Sequence, residues 1–165
     1  MRIAGLIQDS IVDGPGFRFV VFTQGCLSHC EGCHNKKTWD LDGGTDIPVG
    51  DVIDAMLSNP LTDGLTLTGG EPFIQAADCV SLAAVARDKG FSIWIYTGYL
   101  FETLMDRAEN EAAIKELIEL TDVMIDGRFI KAERSLSLKW HGSRNQRVID
   151  VQKSLKTGVV TLFDT

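Results

Sequence analysis

The sequence has 165 residues, of which 44% are hydrophobic and 24% are charged, values typical of a one-domain globular protein. The formal net charge of −7 argues against a general nucleic-acid binder, because such a protein needs a basic face to neutralise phosphates. No stretch approaches the ~18 apolar residues of a membrane span, and residues 1–7 are too few for a secretory signal. We therefore expect a single cytoplasmic domain over residues 1–165, without nucleic acid or membrane among its partners.

The predicted elements alternate between strands and helices along the chain. Strands are expected where short apolar runs end at turn residues, at 3–7, 17–23, 65–68, 91–97, 122–126, 147–150 and 159–163. Helices are expected where one face is apolar, from 48 to 59, from 75 to 89, and over 100–120 as one long or two shorter helices. This alternation predicts an α/β fold with a mainly parallel sheet. A closed barrel of eight such units usually needs ~250 residues, so the chain can form only a partial, open β/α barrel.

Three cysteines follow the second predicted strand at fixed offsets, at Cys26, Cys30 and Cys33. Iron–sulfur clusters are normally held by four cysteines. A trio therefore leaves one iron of a [4Fe–4S] cluster without a protein ligand, and that iron is open to a substrate. Gly69 also directly follows a strand, so we expect this glycine and the cysteines to meet at the carboxyl edge of the sheet.

The alternative interpretation of the trio is a structural zinc site with one added histidine, which could be His29, His34 or His141. Zinc modules usually carry a second pair of ligands elsewhere in the chain, and this sequence has none. The remaining cysteine, Cys79, stands alone on the small apolar face of a predicted helix. We expect Cys79 to be a core residue.

Several stretches resemble the radical S-adenosylmethionine (SAM) family. The cysteine spacing is similar to the family's cluster motif, and residues 65–72 resemble its strand followed by a Gly-Gly-Glu-Pro loop. Residues 13–18 (Asp-Gly-Pro-Gly-Phe-Arg) resemble a segment of the activases of glycyl-radical enzymes. Residues 122–129 and 138–146 are similar to the activases of anaerobic ribonucleoside-triphosphate reductase. The resemblance covers residues 11–148, most of the chain.

The resemblance implies an activase that reductively cleaves SAM and generates a glycyl radical on anaerobic ribonucleoside-triphosphate reductase. It implies one [4Fe–4S] cluster per chain, held by the three clustered cysteines, and SAM as the second cofactor. The implied partners are the large catalytic subunit of that reductase and a low-potential electron donor such as flavodoxin or ferredoxin. Two alternatives stay open: an activase of another glycyl-radical enzyme, such as pyruvate formate-lyase, and a non-catalytic zinc-stabilised binding module.

The resemblance also implies which residues bind the cofactors. They follow three predicted strands, at Gly32, Cys33, His34, Gly69, Gly70, Glu71, Asp126 and Arg128. The backbone at Gly69 and Gly70 is expected to meet the methionine ammonium, so Gly70→Val is expected to weaken SAM binding and to spare the cluster. Glu71 is expected mainly to order this loop. Arg128 has two open roles, a contact to the SAM carboxylate or a place on the surface.

The sequence departs from the family pattern at two places. Gly32 stands where most members carry an aromatic residue beside adenine, which leaves the Gly32 backbone and His34 for that contact. A hydrogen-bonded loop histidine is the equal alternative for His34. Asp13 and Asp126 match two acids that hold a monovalent cation in some activases, but Tyr96 stands at the third position, which puts the cation in doubt.

Overall fold

The computed structural model describes residues 1–165 and has one seven-stranded sheet. Its strands are β1 (Arg2–Ser10), β2 (Arg18–Thr23), β3 (Thr45–Asp46), β4 (Gly64–Gly69), β5 (Ser92–Tyr96), β6 (Val123–Asp126) and β7 (Arg147–Asp150). Its α-helices are α1 (Val49–Leu57), α2 (Ala76–Asp88), α3 (Phe101–Ala108), α4 (Ala112–Leu120) and α5 (Val151–Thr157). No helix is long and apolar enough to cross a membrane.

The strand order is β3-β1-β2-β4-β5-β6-β7, and the sheet ends at β3 and β7 without closing. The four central strands β2, β4, β5 and β6 run parallel, whereas the flanking strands β1, β3 and β7 pair antiparallel. The predicted open, partial β/α barrel with a mainly parallel sheet is confirmed. The parallel strands place the segments that follow Thr23, Gly69, Tyr96 and Asp126 at one edge.

The two faces of the sheet are covered differently. Leu65, Leu67 and the alternate residues of the neighbouring strands belong to a core of 24 buried residues that includes the helix side chains. The opposite, inner face carries a cluster of only four buried hydrophobic residues, which includes Trp94 and Ile125 and no helix residue. Period-two alternation in the strands thus directs one face to the helices and leaves the other as the inside of the half-barrel.

Arg18 fills the inner face near the amino ends of the parallel strands. Its guanidinium is fully buried and forms no ion pair. It donates hydrogen bonds of 2.6–3.1 Å to neutral oxygens of Pro15, Leu65, Thr66 and Ser92. Burial lowers the pKa of Arg18 to about 10. Because these acceptors lie on β4, β5 and the turn before β2, Arg18 ties three segments together.

Near the carboxyl terminus, the observed elements differ from the predicted ones. The strand expected over 159–163 is wrong, because only Leu162 forms an isolated bridge, to Ile149 of β7. Helix α5, which was not predicted, precedes that segment. Asp150 caps it by accepting a hydrogen bond from the Lys153 N–H (2.9 Å), and Gly158 ends it at φ +71°. Residues 100–120 form two helices, α3 and α4, one of the two arrangements expected.

Candidate active site

Two adjoining cavities lie at the carboxyl edge of the parallel strands. The first, of about 110 Å³, is lined by the three clustered cysteines, by the loop after β4 and by residues 127–129 after β6. The second, of about 390 Å³, extends over the inner face of the sheet. The residues that line both cavities are Cys33, Thr68, Tyr96, Phe129 and Gln146. The site therefore has a thiol-lined part and a larger, more open part.

Backbone hydrogen bonds fix the cysteine loop. The Gly25 N–H donates to the Thr38 carbonyl (2.7 Å), and the Cys26 N–H donates to the Trp39 carbonyl (3.2 Å), so the loop closes on itself. Gln24 is buried, and its side-chain amide donates to carbonyl oxygens further along the loop, the nearer at 2.7 Å. The thiols are thus held by a preformed loop.

The three thiols are half-buried, form no disulfide and line the same cavity. Burial raises the pKa of the Cys30 thiol, the nearby Arg128 cation opposes that rise, and the neighbouring thiols add to it. The cysteines, histidines and carboxylates form no group of three spaced for direct coordination of one metal ion. Three free thiols that line one cavity are a donor set that a polynuclear cluster can use, because each thiolate binds a different iron atom.

The remaining cysteine and the three histidines each have other contacts, and none of them is grouped with the three clustered cysteines. Cys79 is fully buried in the core, as expected, and burial raises its pKa. His29 stacks on Trp39 with the ring centroids 4.5 Å apart. His34 meets Phe129 edge-on at 5.7 Å, and the Nδ1 atom of His141 lies 2.8 Å from the Lys139 carbonyl oxygen. None of these histidines joins the cysteines in a metal-binding group.

Gly69 and Gly70 lie where the loop after β4 contacts the end of β2 and the start of the cysteine loop. The Gly70 N–H donates to the Thr23 carbonyl (2.7 Å) and the Glu71 N–H to the Gly25 carbonyl (2.8 Å). A Cβ atom on Gly70 would lie 2.3 Å from the Gly25 carbonyl oxygen, and Gly69 has φ +96°. A side chain at Gly70 would therefore strike the start of the cysteine loop. The expectation that Gly70→Val spares the cluster does not fit this geometry.

Glu71 orders the same edge, as the sequence predicted. Its buried carboxylate accepts hydrogen bonds from the Phe73 N–H (3.2 Å), the Thr97 hydroxyl (2.8 Å) and the Gly98 N–H (2.8 Å). Burial raises the pKa of Glu71 to about 7, and the three donated hydrogen bonds oppose that rise. This one side chain joins the loop after β4 to the loop after β5.

Asp126 is buried at the end of β6 and accepts hydrogen bonds from Arg147 and from the Phe101 N–H (2.8 Å). Arg147 also pairs with the exposed Glu102, which lowers the pKa of that carboxyl to about 2. Both carboxylates raise the pKa of Arg147, with Asp126 the larger cause. Asp126 lines neither cavity, so these contacts support a structural role, and its expected part in cofactor binding stays a prediction.

Replacing Arg147 with Met is expected to lower the free energy of unfolding by about 3 kcal/mol, because it leaves the Asp126 charge buried without its partner. Glu102→Gln is the matched control, since it breaks only the exposed half of the network and is expected to cost less than about 1 kcal/mol. Urea denaturation of both variants measures the difference. Equal losses would contradict the assignment of the stabilising pair to Asp126.

Phe129 places an aromatic ring beside Gly32, the position at which most members of the radical SAM family carry an aromatic residue and this sequence has glycine. Gly32 has φ +76°, and a Cβ atom there would lie 3.3 Å from the Phe129 ring. Phe129 also contacts His34, which lines the second cavity, whereas the exposed Arg128 lines the first. The role of Phe129 was not predicted, because it follows a different strand, far from Gly32 in the chain.

The two acids that match cation-binding positions of some activases have different partners in the structure. Asp13 lines the second cavity together with Tyr96. Burial and the nearby Asp13 carboxylate both raise the pKa of the Tyr96 phenol, burial more strongly. Asp126 is instead paired with Arg147.

Comparisons with known proteins agree with this site. Residues 12–149 match the family model described as a 4Fe-4S single cluster domain. Curated relatives named anaerobic ribonucleoside-triphosphate reductase-activating protein include one from Escherichia coli K12, 34% identical over 84% of this chain and 91% of the relative. Another, from Enterobacteria phage T4, is 38% identical over 83% of this chain and 86% of the relative. Among solved structures, QueE from Escherichia coli overlaps partially, with a TM-score of 0.48 and 22% identity over 59% of this chain and 51% of its own.

Proposed function

We propose a function that follows from family membership: the chain belongs to the anaerobic ribonucleoside-triphosphate reductase-activating proteins and carries their 4Fe-4S single cluster domain. It is an iron–sulfur, SAM-dependent activase that generates a glycyl radical on the catalytic subunit of that reductase. The observation that carries this proposal is that all three clustered cysteines line one cavity with Gly69, Gly70 and Glu71. Clustered free cysteines also suit the reducing cytoplasm, where we place the protein.

Cys26, Cys30 and Cys33 would hold the cluster. When bound, the cluster and SAM supply one-electron reductive cleavage of the sulfonium and a radical that abstracts hydrogen from glycine. Because this set has only three thiols, the cluster would stay open to SAM. The protein contributes the fixed loop, the buried walls and the placement of the two cofactors.

The second cavity would hold most of SAM. Gly69 and Gly70 line the thiol-lined cavity next to Thr68, which lines both cavities, and their backbone would meet the methionine ammonium. Arg128 lines the first cavity and forms no ion pair, so its charge is free for the SAM carboxylate. Phe129 and His34 line the second cavity beside Gly32 and would offer an aromatic wall for adenine.

The partner would close the open side. No helix packs on the inner face of the sheet, and Val12, at its rim, is 73% exposed. A reactive radical needs a site that excludes water. A glycine-bearing loop of the reductase, inserted over this face, would both exclude water and deliver the hydrogen atom to be abstracted.

The electron donor would approach from the cysteine side. The exposed charges around the cysteine loop are mixed: Lys36, Lys37 and Arg128 lie near Asp40 and Asp42, and Lys131 pairs with Glu31. A small low-potential redox protein of the flavodoxin or ferredoxin type would deliver the electron on this side, because it is the side on which the thiols lie.

The proposed function predicts a stable glycyl radical on the anaerobic reductase. The reduced protein and SAM are mixed without oxygen with the reductase or, as the control, with pyruvate formate-lyase. EPR should show the glycyl doublet on the reductase and far less signal on the lyase. A doublet on the lyase alone would reassign the partner. Cleavage of SAM with no doublet on either would place the protein outside the activases.

A further inference from the structure

The wall that the two cavities share offers few free polar groups. It is formed by Cys33, Thr68, Tyr96, Phe129 and Gln146. The Cys33 thiol is assigned to the cluster, and Phe129 has no polar side-chain atom. The Gln146 side-chain amide is already used, because it accepts hydrogen bonds from two backbone N–H groups and donates one to a backbone carbonyl. Free polar groups on this wall therefore remain only at Thr68 and Tyr96.

The hydroxyl groups of Thr68 and Tyr96 are both unpartnered and accessible. Neither hydroxyl forms a hydrogen bond within the protein, and neither belongs to the three polar atoms that are buried without a partner. Both residues line both cavities. A ligand that fills the cavities can therefore reach the two oxygens.

Strand geometry directs the two side chains to the same place. Leu67 and Ile95 belong to the core that the helices cover, so Thr68 and Tyr96, the next residues of β4 and β5, project from the inner face. The register pairs Leu67 with Ile95 and places Thr68 beside Tyr96. Neighbouring strands lie about 4.8 Å apart. The two hydroxyl-bearing side chains thus stand next to each other on the floor of the half-barrel.

The Tyr96 phenol keeps its proton. Burial raises its pKa, and the carboxylate of Asp13, which lines the second cavity, adds to that rise, whereas Arg18 opposes it. The phenol can therefore donate a hydrogen bond at physiological pH. Like the Thr68 hydroxyl, it can also accept one. The pair suits a neutral ligand group that both donates and accepts hydrogen bonds.

The covalent order of SAM decides which of its groups would reach the shared wall. The methionine end would lie in the cavity that the thiols line, and adenine would lie against Phe129 and His34 in the second cavity. The ribose connects the sulfonium to adenine, so it would lie between these two places. Its two hydroxyls are neutral and both donate and accept hydrogen bonds.

We propose that the hydroxyl groups of Thr68 and Tyr96 bind the ribose hydroxyls of SAM and so position the nucleoside across the two cavities. The inference rests on the proposed function, since SAM is the ligand. Both side chains are binding residues that take no part in the bond cleavage.

The test measures the dissociation constants of SAM, 2′-deoxy-SAM and 3′-deoxy-SAM by anaerobic isothermal titration calorimetry. The reconstituted cluster is left oxidised, so that no SAM is cleaved during the titration. Tyr96→Phe and Thr68→Val each remove one hydroxyl and change the size of the side chain little. We expect each variant to bind SAM about tenfold more weakly, the effect of one lost hydrogen bond at the upper end of the usual range.

The two analogues identify the group that the protein contacts. In the unsubstituted protein, the analogue that lacks a contacted hydroxyl should bind about tenfold more weakly than SAM. In the variant that lacks the partner of that hydroxyl, the same analogue should bind as well as SAM, because the hydrogen bond is already absent. Equal penalties in the variants and in the unsubstituted protein would overturn the inference, since the two hydroxyls would then contact another part of SAM, such as its carboxylate.

Tyr99→Phe is the matched control. Tyr99 is the other tyrosine of the chain, lines neither cavity, and has the Arg107 guanidinium 5.0 Å from its ring centroid. This variant should bind SAM and both analogues as the unsubstituted protein does. A loss of affinity as large as that of Tyr96→Phe would show a general disturbance after β5 and would overturn the assignment of Tyr96.

The analogues also cover the case in which a variant fails to fold or to bind iron, because they test the unsubstituted protein directly. Equal affinity of that protein for SAM and both analogues would overturn the inference and leave the proposed function intact. If the reconstituted protein binds no SAM at all, the proposed function fails, and the inference fails with it.

Discussion

Serine in place of Cys26, Cys30 or Cys33, one at a time, is expected to abolish the [4Fe–4S] cluster and with it all SAM cleavage. The three thiols line one cavity on a preformed loop. Loss of one ligand leaves only two for a cluster that already has an open iron. Anaerobic reconstitution followed by iron and sulfide analysis should give about four of each per chain in the unsubstituted protein and far less in each variant.

Cys79→Ser is the control for these three variants. Cys79 is fully buried among core residues, away from the site, so its replacement is expected to lower stability slightly and to leave the iron content unchanged. The ligand assignment would be wrong if Cys79→Ser lost its iron while Cys30→Ser kept it. If the unsubstituted protein were colourless and contained zinc, the alternative of a zinc-stabilised binding module would be favoured.

Gly70→Ala and Gly70→Val are both expected to lose iron and SAM binding together. The Cβ atom itself meets the Gly25 carbonyl oxygen at 2.3 Å, so alanine is already too large and valine adds little to the conflict. Overpacking against backbone costs about 3 kcal/mol, and here the displaced segment is the start of the cysteine loop. Iron analysis and a SAM titration followed by EPR measure the two losses.

Gly5→Val is the matched control, because a Cβ atom at Gly5 would meet nothing within 4 Å. It should keep both the cluster and the affinity for SAM. The two Gly70 variants also distinguish a clash of the Cβ atom with the cysteine loop from crowding of SAM by the larger side chain. Intact iron in both, with SAM affinity falling only in Gly70→Val, would favour crowding of SAM and contradict the structural explanation.

Local patterns in the sequence predicted much of the fold and the location of the site. The alternating elements indicated the open barrel, and the strands that precede Cys26 and Gly69 indicated the shared edge. Helix α5 was missed because its seven residues carry little periodicity and its caps are single residues, Asp150 and Gly158. The segment after α5 was predicted to be a strand because it contains apolar residues. In the structure these residues pack on the inner face of the sheet, as Phe163 does against Trp94.

The parts of the site that were not predicted depend on contacts between distant segments. Phe129 stands beside Gly32 only because the loop after β6 returns to the cysteine loop. Arg147 meets Asp126 because β7 pairs antiparallel with β6. Thr68 and Tyr96 stand side by side only because β4 pairs with β5. No local pattern in the sequence encodes such juxtapositions.

The close approach of Gly70 to Gly25, where the loop after β4 contacts the start of the cysteine loop, has a consequence for biosynthesis. During translation the cysteines leave the ribosome well before β4, because β3 and α1 lie between them in the chain. The carbonyl oxygens of Thr23 and Gly25 find their partners, the N–H groups of Gly70 and Glu71, only after β4 has been made and has paired with β2. The cysteine loop therefore reaches its final shape late, and iron delivered to the nascent chain would meet thiols that are not yet held in place.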